Sequence, residues 1–216
     1  MEKQGPLLAL IAGITLVFIL QSIVGSEAYF DFMAVPAEIV QAWKSIRAGG
    51  FSTGSLAEIG TLLSSALMHG GTDHLMGNML FLWIFAALAA ELLGHRWMFA
   101  TFVFTALCGS VCHVALNAEQ FIPCLGASGA VMGFEGLYLA MAVRWHLPDP
   151  HVWPMARPIP PGQLAMLGIL GLAFDFMGFM GGGMGVAYGA HLGGFIGGMI
   201  MGGTIVPKPF MAGRRR

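Results

Sequence analysis

Long apolar stretches follow one another along this chain, separated by short polar or glycine-rich connections. Six of them are long enough, or nearly so, to cross the roughly 30 Å hydrocarbon core of a bilayer. They lie at about residues 7–24, 74–93, 97–116, 128–143, 164–181 and 185–206. The fourth is short, and the fourth and fifth each contain one acidic residue, Glu135 and Asp175. The pattern predicts an all-α polytopic membrane protein, with six transmembrane helices in one domain over residues 1–216.

The connection between the first two stretches, roughly residues 25–68, is too long and too apolar for an ordinary membrane loop. Ile39, Trp43 and Ile46 recur at helical spacing among charged residues, which predicts a short amphipathic helix in the outer interface. Residues 51–67 are apolar enough to dip into the membrane, which is tolerated where neighbouring helices bury the backbone. We therefore expect a long first loop that is partly embedded in the membrane.

Composition excludes a soluble enzyme, because 56% of the 216 residues are hydrophobic and only 10% are charged. Water-soluble domains carry about 25% charged residues. A net charge of −1 gives no reason to expect a nucleic-acid partner. Of the ten Lys and Arg residues, only Lys44 and Arg47 fall on the side opposite the termini. The positive-inside rule therefore predicts a multi-pass protein of the cell (inner) membrane with both termini in the cytosol.

The three cysteines do not form a disulfide framework. Cys108 and Cys112 are one helical turn apart and His113 follows them, so a metal site is conceivable. Two ligands one turn apart and an adjacent histidine do not converge well, and buried small residues are the better interpretation. We expect no metal and no other cofactor.

Polar residues inside membrane spans are energetically unfavourable, and by default they mark functional sites. Counted from the cytosolic edge at about 1.5 Å per residue, Ser128 and Asn78 lie roughly 24 Å up and His191 roughly 22 Å up. His74 lies one turn above Asn78. Three predicted helices thus place serine, histidine and asparagine at nearly one depth, a few ångström below the outer surface.

These residue types fit acyl transfer, in which a histidine activates a serine and Asn, His or backbone N–H groups stabilise the oxyanion. Ser128 lies in Gly126-Ala127-Ser128-Gly129 at the start of a predicted helix, where free N–H groups favour an anion. Gly126 and Gly129 allow a tight turn and close approach of a substrate backbone. His191, Gly194 and Gly198 share one helix face, and this small-residue stripe allows close packing of the fourth and sixth spans.

Three motifs together resemble the rhomboid family of intramembrane serine proteases, in the order and on the spans that the family uses. They are His69-x4-His74-x3-Asn78, Gly126-Ala127-Ser128-Gly129 and Ala190-His191-x2-Gly194-x3-Gly198. The resemblance covers about residues 67–198 and implies a six-helix rhomboid-like bundle. It implies a dyad of Ser128 and His191 without a third acid, oxyanion stabilisation by His74 and Asn78, and a structural role for His69. Its implied substrates are transmembrane segments of other proteins, reaching the site past the fifth span and the turn at Met180–Met184.

The chain departs from the family's pattern in three places. Gly60-Thr61 stands where many members carry Trp-Arg, so the first loop is expected to be anchored differently. Met132 replaces a tyrosine that stacks on the catalytic histidine in some members; a thioether can still pack on an imidazole, so we expect His191 to be held less rigidly. Glu135 is expected to be protonated or hydrogen-bonded inside the bundle. Asp175 could line a water pocket, pair with a histidine or fill a gap beside the fifth span.

The main hypothesis is a serine endopeptidase that hydrolyses peptide bonds in or near transmembrane segments of other membrane proteins. The alternative is a catalytically inactive rhomboid-like binder of membrane proteins, although Ser128 and His191 are both present and no proline flanks the serine. A small transporter or metal carrier would be expected to show inverted repeats, and none is evident. The expected partners are transmembrane protein substrates and membrane lipid.

Overall fold

The structure is a computed structural model that describes residues 4–148, 160–180, 187–210 and 212–214. In this part of the chain the α-helices are α1 Gly5–Val24, α2 Pro36–Arg47, α3 Thr53–Ser64, α4 Thr72–Leu93, α5 His95–Leu116, α6 Ser128–Arg144, α7 Pro161–Met180 and α8 Tyr188–Ile200. The shorter elements are 3₁₀ turns at Ser26–Phe32 and Ser65–Leu67, a π-helical turn at Met201–Ile205, and the antiparallel strands β1 Trp145–His146 and β2 Gly213–Arg214. The predicted helical membrane bundle is confirmed.

Each of the six predicted spans corresponds to one helix, namely α1, α4, α5, α6, α7 and α8. Their boundaries shift by a few residues for local reasons. Pro6 lies in the first turn of α1 and Pro161 begins α7, because proline fits the start of a helix, where its missing N–H has no partner to lose. Gly94 alone separates α4 from α5, and its φ of 88° belongs to the left-handed region that favours glycine.

By length and composition, three helices of the described part are apolar and long enough to cross a membrane: α1, α4 and α5. By contrast, α6 has 17 residues and α8 has 13 before its π-helical turn. A helix needs about 20 residues to cross the hydrocarbon core. The six-span topology with cytosolic termini therefore stays a prediction.

The first loop folds into the helices that its sequence pattern predicts, α2 and α3. On α2, Ile39 and Ala42 are buried, whereas Trp43 is 55% exposed. The predicted apolar face of α2 is thus divided, with Ile39 turned toward protein and Trp43 available to the membrane interface. Embedding of this loop in lipid stays a prediction.

Main-chain bonds contribute to the anchoring of the first loop. Ala34 and Cys124 exchange two N–H···O bonds of 3.1 and 2.8 Å, which tie the loop to the segment that precedes α6. Thr61 is 2% exposed, and its hydroxyl donates to the Glu58 carbonyl of its own helix at 2.6 Å. Gly60 has open space where a side chain would project. Gly60 therefore contributes no side-chain contact to the loop, and the Thr61 hydroxyl bonds within its own helix.

Helix α6 lies at the centre of the bundle and packs against α4, α5, α7 and α8. All ten residues from Gly129 to Tyr138 are buried. A helix enclosed on every side needs small residues where neighbours come close. A Cβ at Gly136 would overlap the Phe195 carbonyl oxygen of α8, and one at Gly133 would overlap the Thr105 side chain of α5. Glycine therefore sets the spacing of α5, α6 and α8.

Glycine residues also allow close contact between α5 and α8. A Cβ at Gly193 would overlap the Cys112 side chain, and one at Gly197 would lie 2.9 Å from the Cys108 sulfur. The two cysteines thus occupy space that the glycines of α8 leave open. Their position suits the packing role that the sequence favours over metal binding.

Some of the predicted features lie outside the described residues. The turn at Met180–Met184 is described only for the backbone of Met180, and Asp175 only for its helical backbone. Among the basic residues used for orientation, Lys3 and Arg157 lie outside, as do the last two arginines.

Candidate active site

Ser128 is the first residue of α6, directly after a tight turn. Gly126 has a φ of 123°, which is strained for any residue with a side chain, and its N–H donates to the Ser65 carbonyl at 2.9 Å. No side chain caps the helix at Ala127. The first N–H groups of a helix have no intrahelical acceptor, so the N–H of Ser128 can serve a ligand.

Two side-chain donors converge on the space that Gly126 leaves open. A Cβ at Gly126 would lie 2.7 Å from Cε1 and 2.8 Å from Nε2 of His74, and 3.7 Å from Nδ2 of Asn78. His74 and Asn78 lie one turn apart on the same face of α4. The structure therefore brings His74 and Asn78 together at Gly126, which precedes Ser128 by two residues.

The hydrogen bond at the other ring nitrogen of His74 favours the tautomer with the proton on Nε2. The N–H of Gly70 donates to Nδ1 of His74 at 3.4 Å. A backbone N–H can only donate, so Nδ1 accepts and a neutral His74 has its proton on Nε2. Nε2 is the nitrogen that faces Gly126. His74 therefore presents an N–H to the space beside Ser128.

Asn78 is 7% exposed, and its Nδ2 has no hydrogen-bond partner among the described residues. A buried amide without a partner is destabilising by about 1–3 kcal/mol, and each such group in a native structure calls for an explanation. An anion beside Gly126 would accept from this N–H. The Nδ2 group of Asn78 is thus placed to donate to an anion at this position.

Contacts between α6 and α8 bring the backbone of His191 next to that of Ser128. A Cβ at Gly129 would lie 3.1 Å from the Ala190 carbonyl oxygen, and one at Gly194 would overlap the Gly129 carbonyl oxygen. Ser128 precedes Gly129 and His191 follows Ala190 in the chain. The two predicted catalytic residues therefore lie on adjoining stretches of packed backbone.

The side chains of the site are partly accessible to solvent. Ser128 and His191 are both partly exposed, and His74 is exposed. His191 is close enough to His74 of α4 and to His113 of α5 to interact with them electrostatically. Within the described part of the chain, no three His, Cys, Asp or Glu side chains converge as metal ligands. The site therefore offers a hydroxyl, imidazoles and N–H donors, with access for water.

His69 lies beside the site as a buried, neutral ring. It is 1% exposed, and its ring centroid lies 5.1 Å from that of His74 in an edge-on arrangement. Burial lowers the pKa of His69 to about 4, with nearby His74 as the second cause and the Leu67 backbone opposing the shift. Neither ring nitrogen meets hydrogen-bond geometry with the described residues. His69 therefore supports His74 by packing.

This lowered pKa predicts a loss of stability on acidification. An unfolded His69 gains a proton near pH 6.5, whereas the folded one gains it only near pH 4. Between these values the unfolded state binds more protons, so stability should fall as pH drops from 6.5 to 4 and should be fully present above 6.5. Thermal melts in detergent should show this slope, and His69→Asn should flatten it. The same change at exposed His146 is the control; an unaltered slope in His69→Asn would contradict the assignment.

Three residues of the site were not predicted from the sequence: Gln21, Ser65 and Gly70. Gln21 lies on α1 and is 8% exposed, and its side-chain amide binds the main chain of His69. A polar residue inside a predicted span was the available signal for it. Ser65 and Gly70 act through backbone groups. Every residue type carries such groups, so the residue type at these positions does not indicate the contact.

The two remaining departures from the family's pattern are both buried in α6. Met132 is 7% exposed, and its contact with His191 stays a prediction. Glu135 is 8% exposed and faces α7, where a Cβ at Gly168 would lie 3.1 Å from its Oε2. Gly171, one turn further along α7, would place a Cβ 3.9 Å from the same oxygen. The carboxyl group thus packs inside the bundle, in a notch made by two glycines.

The Rhomboid domain family matches residues 56–208, which is more than half of the chain and includes α4 to α8. A curated protein of Bacillus subtilis (strain 168), named "Putative rhomboid protease YdcA", is 26% identical over 112 residues. That alignment covers 52% of this chain and 56% of the relative, so the chain spans little more than half the length of the relative it matches. The family match includes the serine turn, the donor pair on α4 and the histidine of α8. This chain belongs to the rhomboid family.

Proposed function

We propose that this chain is a serine endopeptidase that hydrolyses peptide bonds in or near transmembrane segments of other membrane proteins. The observation that carries the proposal is the convergence of two N–H donors, His74 Nε2 and Asn78 Nδ2, on the space beside Gly126. Ser128 follows two residues later at the start of α6. Donors aimed at a developing oxyanion beside a serine are the apparatus of acyl transfer.

In the first step, Oγ of Ser128 bonds to the scissile carbonyl carbon while His191 takes the hydroxyl proton. The carbonyl oxygen becomes an oxyanion. It accepts hydrogen bonds from Nε2–H of His74, from Nδ2–H of Asn78 and from the Ser128 N–H at the positive end of α6. The Asn78 N–H is directed at this developing charge, so its hydrogen bond strengthens as the transition state forms.

In the second step, the carbon–nitrogen bond breaks and His191 gives its proton to the leaving amine, which leaves an ester on Ser128. Water then attacks the ester carbon as His191 takes a proton from it. The second oxyanion uses the same three donors. Its collapse breaks the bond to Oγ, and the proton on His191 returns to Ser128. No third acid takes part in this scheme.

Substrates and orientation form part of the proposal. Both termini would lie in the cytosol, with the site a few ångström below the outer surface. A transmembrane segment would approach laterally past α7. Small residues at the cut would allow the substrate backbone to reach the glycine-lined space at Gly126.

The experiment uses the full chain purified in detergent, with a single-span reporter that has small residues near its outer end. Mass spectrometry should find two fragments whose junction lies near that end. A fluorophosphonate probe should label Ser128, as identified in the peptide that carries the label. The matched control is the same reporter with leucine in place of the small residues, which should be cleaved more slowly.

An unlabelled Ser128 and an intact reporter, in protein that melts cooperatively, would contradict the proposal. If the reporter nevertheless co-purified with the chain, the inactive membrane-protein binder would be the better description.

A further inference from the structure

Gln21 grips the main chain of the loop before α4. Its Nε2 donates to the carbonyl oxygen of His69, and its Oε1 accepts from the N–H of the same residue, both at 3.2 Å. Because a backbone N–H only donates and a carbonyl only accepts, the two bonds fix which way the amide points. Gln21 is 8% exposed, so water competes little for these bonds. Helix α1 thus holds a residue 48 positions further along the chain.

The peptide that Gln21 holds also supplies the bond to His74. The carbonyl of His69 and the N–H of Gly70 belong to one peptide unit, which is planar and points them in opposite directions. One end of this unit accepts from Gln21 at 3.2 Å, and the other donates to Nδ1 of His74 at 3.4 Å. Orienting the carbonyl therefore orients the N–H. Hydrogen bonds at both ends of one peptide also polarise and strengthen each other.

Without Gln21 this peptide would have few local restraints. The next residues are Gly70 and Gly71, and glycine reaches a wider range of backbone angles than any other residue. Neither ring nitrogen of His69 meets hydrogen-bond geometry with the described residues. The amide of Gln21 is thus well placed to select one orientation of a peptide that could otherwise rotate.

We propose that Gln21 is a positioning residue for the oxyanion donor His74. By holding the His69–Gly70 peptide, it keeps Nδ1 of His74 an acceptor and the proton on Nε2, the nitrogen that faces Gly126. The catalytic consequence rests on the proposed function, whereas the effect on the His74 tautomer does not.

Gln21→Met tests the proposal, because methionine has nearly the same length and cannot hold the peptide. With a transmembrane reporter, kcat should fall about tenfold, part of the 10²–10³-fold loss that follows removal of a whole oxyanion donor. KM should be unchanged, since the donor acts in the transition state. Ile14→Ala is the control: Ile14 is 1% exposed and lies on α1 two turns from Gln21, so the variant loses packing on the same helix and keeps both Gln21 hydrogen bonds.

A purely structural role for Gln21 would leave the tautomer of His74 unchanged. The tautomer can be measured by ¹⁵N NMR of histidine-labelled protein in micelles. The His74 signals, identified by their loss in His74→Ala, should show one neutral tautomer with the proton on Nε2 in the parent and in Ile14→Ala. Gln21→Met should give a mixture of tautomers. If Gln21→Met unfolds, Gln21→Leu replaces it: leucine is apolar and can neither donate to the His69 carbonyl nor accept from its N–H, so the mixture should appear again.

Combining Gln21→Met with His74→Ala completes the test, because residues that act through one another are not additive. In the His74→Ala background, Gln21→Met should lower kcat less than twofold. An equal tenfold loss in both backgrounds, or an unchanged tautomer, would overturn the positioning role. If the parent cleaves nothing while the tautomer responds as described, the proposed function fails and the control of His74 by Gln21 stands.

Discussion

Replacement of Ser128 by alanine is expected to lower the cleavage rate of a transmembrane reporter by a factor on the order of 10⁴ to 10⁶. Alanine removes the oxygen that forms the acyl intermediate and leaves the helix start and both α4 donors in place. The protein should therefore keep its melting temperature and its affinity for substrate. Single-turnover cleavage at saturating substrate, measured beside a thermal melt, checks both halves of this expectation.

His191→Ala should cause a loss of similar size, and the double variant should be no slower than the worse single one. Catalytic residues that act as a unit are strongly non-additive, because removing either one disables the same step. Ser22→Ala is the matched control: this hydroxyl is exposed and donates to the Phe18 carbonyl of its own helix at 2.9 Å, so the rate should not change. Losses that multiply in the double variant would show that Ser128 and His191 do not share one step.

The relative level of the site residues along their helices could be predicted from sequence, because the rise of an α-helix is nearly constant. Counting residues from the predicted cytosolic ends places Ser128, His191 and Asn78 at one level, and in the structure they lie on α6, α8 and α4. The start of α6 was also predictable, since glycine on both sides of Ser128 marks a turn into a helix. These features depend on backbone geometry that a one-dimensional pattern encodes.

The rotation of helices and the course of loops could not be predicted in this way. Gln21 lies in a span that is apolar almost throughout, so hydropathy identifies the helix and not the face that meets the loop before α4. Its partner is main chain of His69, which has no residue-specific signal. The donor to His74 is likewise the N–H of Gly70. Contacts made by backbone groups become visible only in three dimensions.

The glycine stripe of α8 could be predicted in part. Its spacing indicates a close helix–helix contact, but it does not say which atoms meet. In the structure, Gly194 and Gly198 meet backbone carbonyl oxygens of α6, at Gly129 and Gly133. Carbonyl oxygens of a helix cannot rotate away as side chains do. The contact that assembles the fold thus also fixes the distance between the helices that carry Ser128 and His191.

Gly198→Ala is therefore expected to impair both stability and catalysis. The added Cβ would overlap the Gly133 carbonyl oxygen and lie 2.8 Å from the Leu137 nitrogen. Non-bonded heavy atoms prefer a separation of about 3.5 Å, so the helices must separate by about 1.5 Å. Helix α6 cannot retreat, because Thr105 of α5 fills the space behind Gly133. Overpacking against backbone should cost about 3 kcal/mol, seen as a lower melting temperature in detergent.

The catalytic loss in Gly198→Ala should exceed what its unfolded fraction explains. A displacement of about 1 Å between reacting groups can lower a rate by about 100-fold, even when the substitution is far from the chemistry. Single-turnover rates well below the melting temperature separate this effect from unfolding. Gly203→Ala is the matched control, since a Cβ there meets nothing within 4 Å, so rate and melting temperature should hold. A folded Gly198→Ala variant with the parent's rate would show that α6 and α8 can part without moving Ser128 from His191.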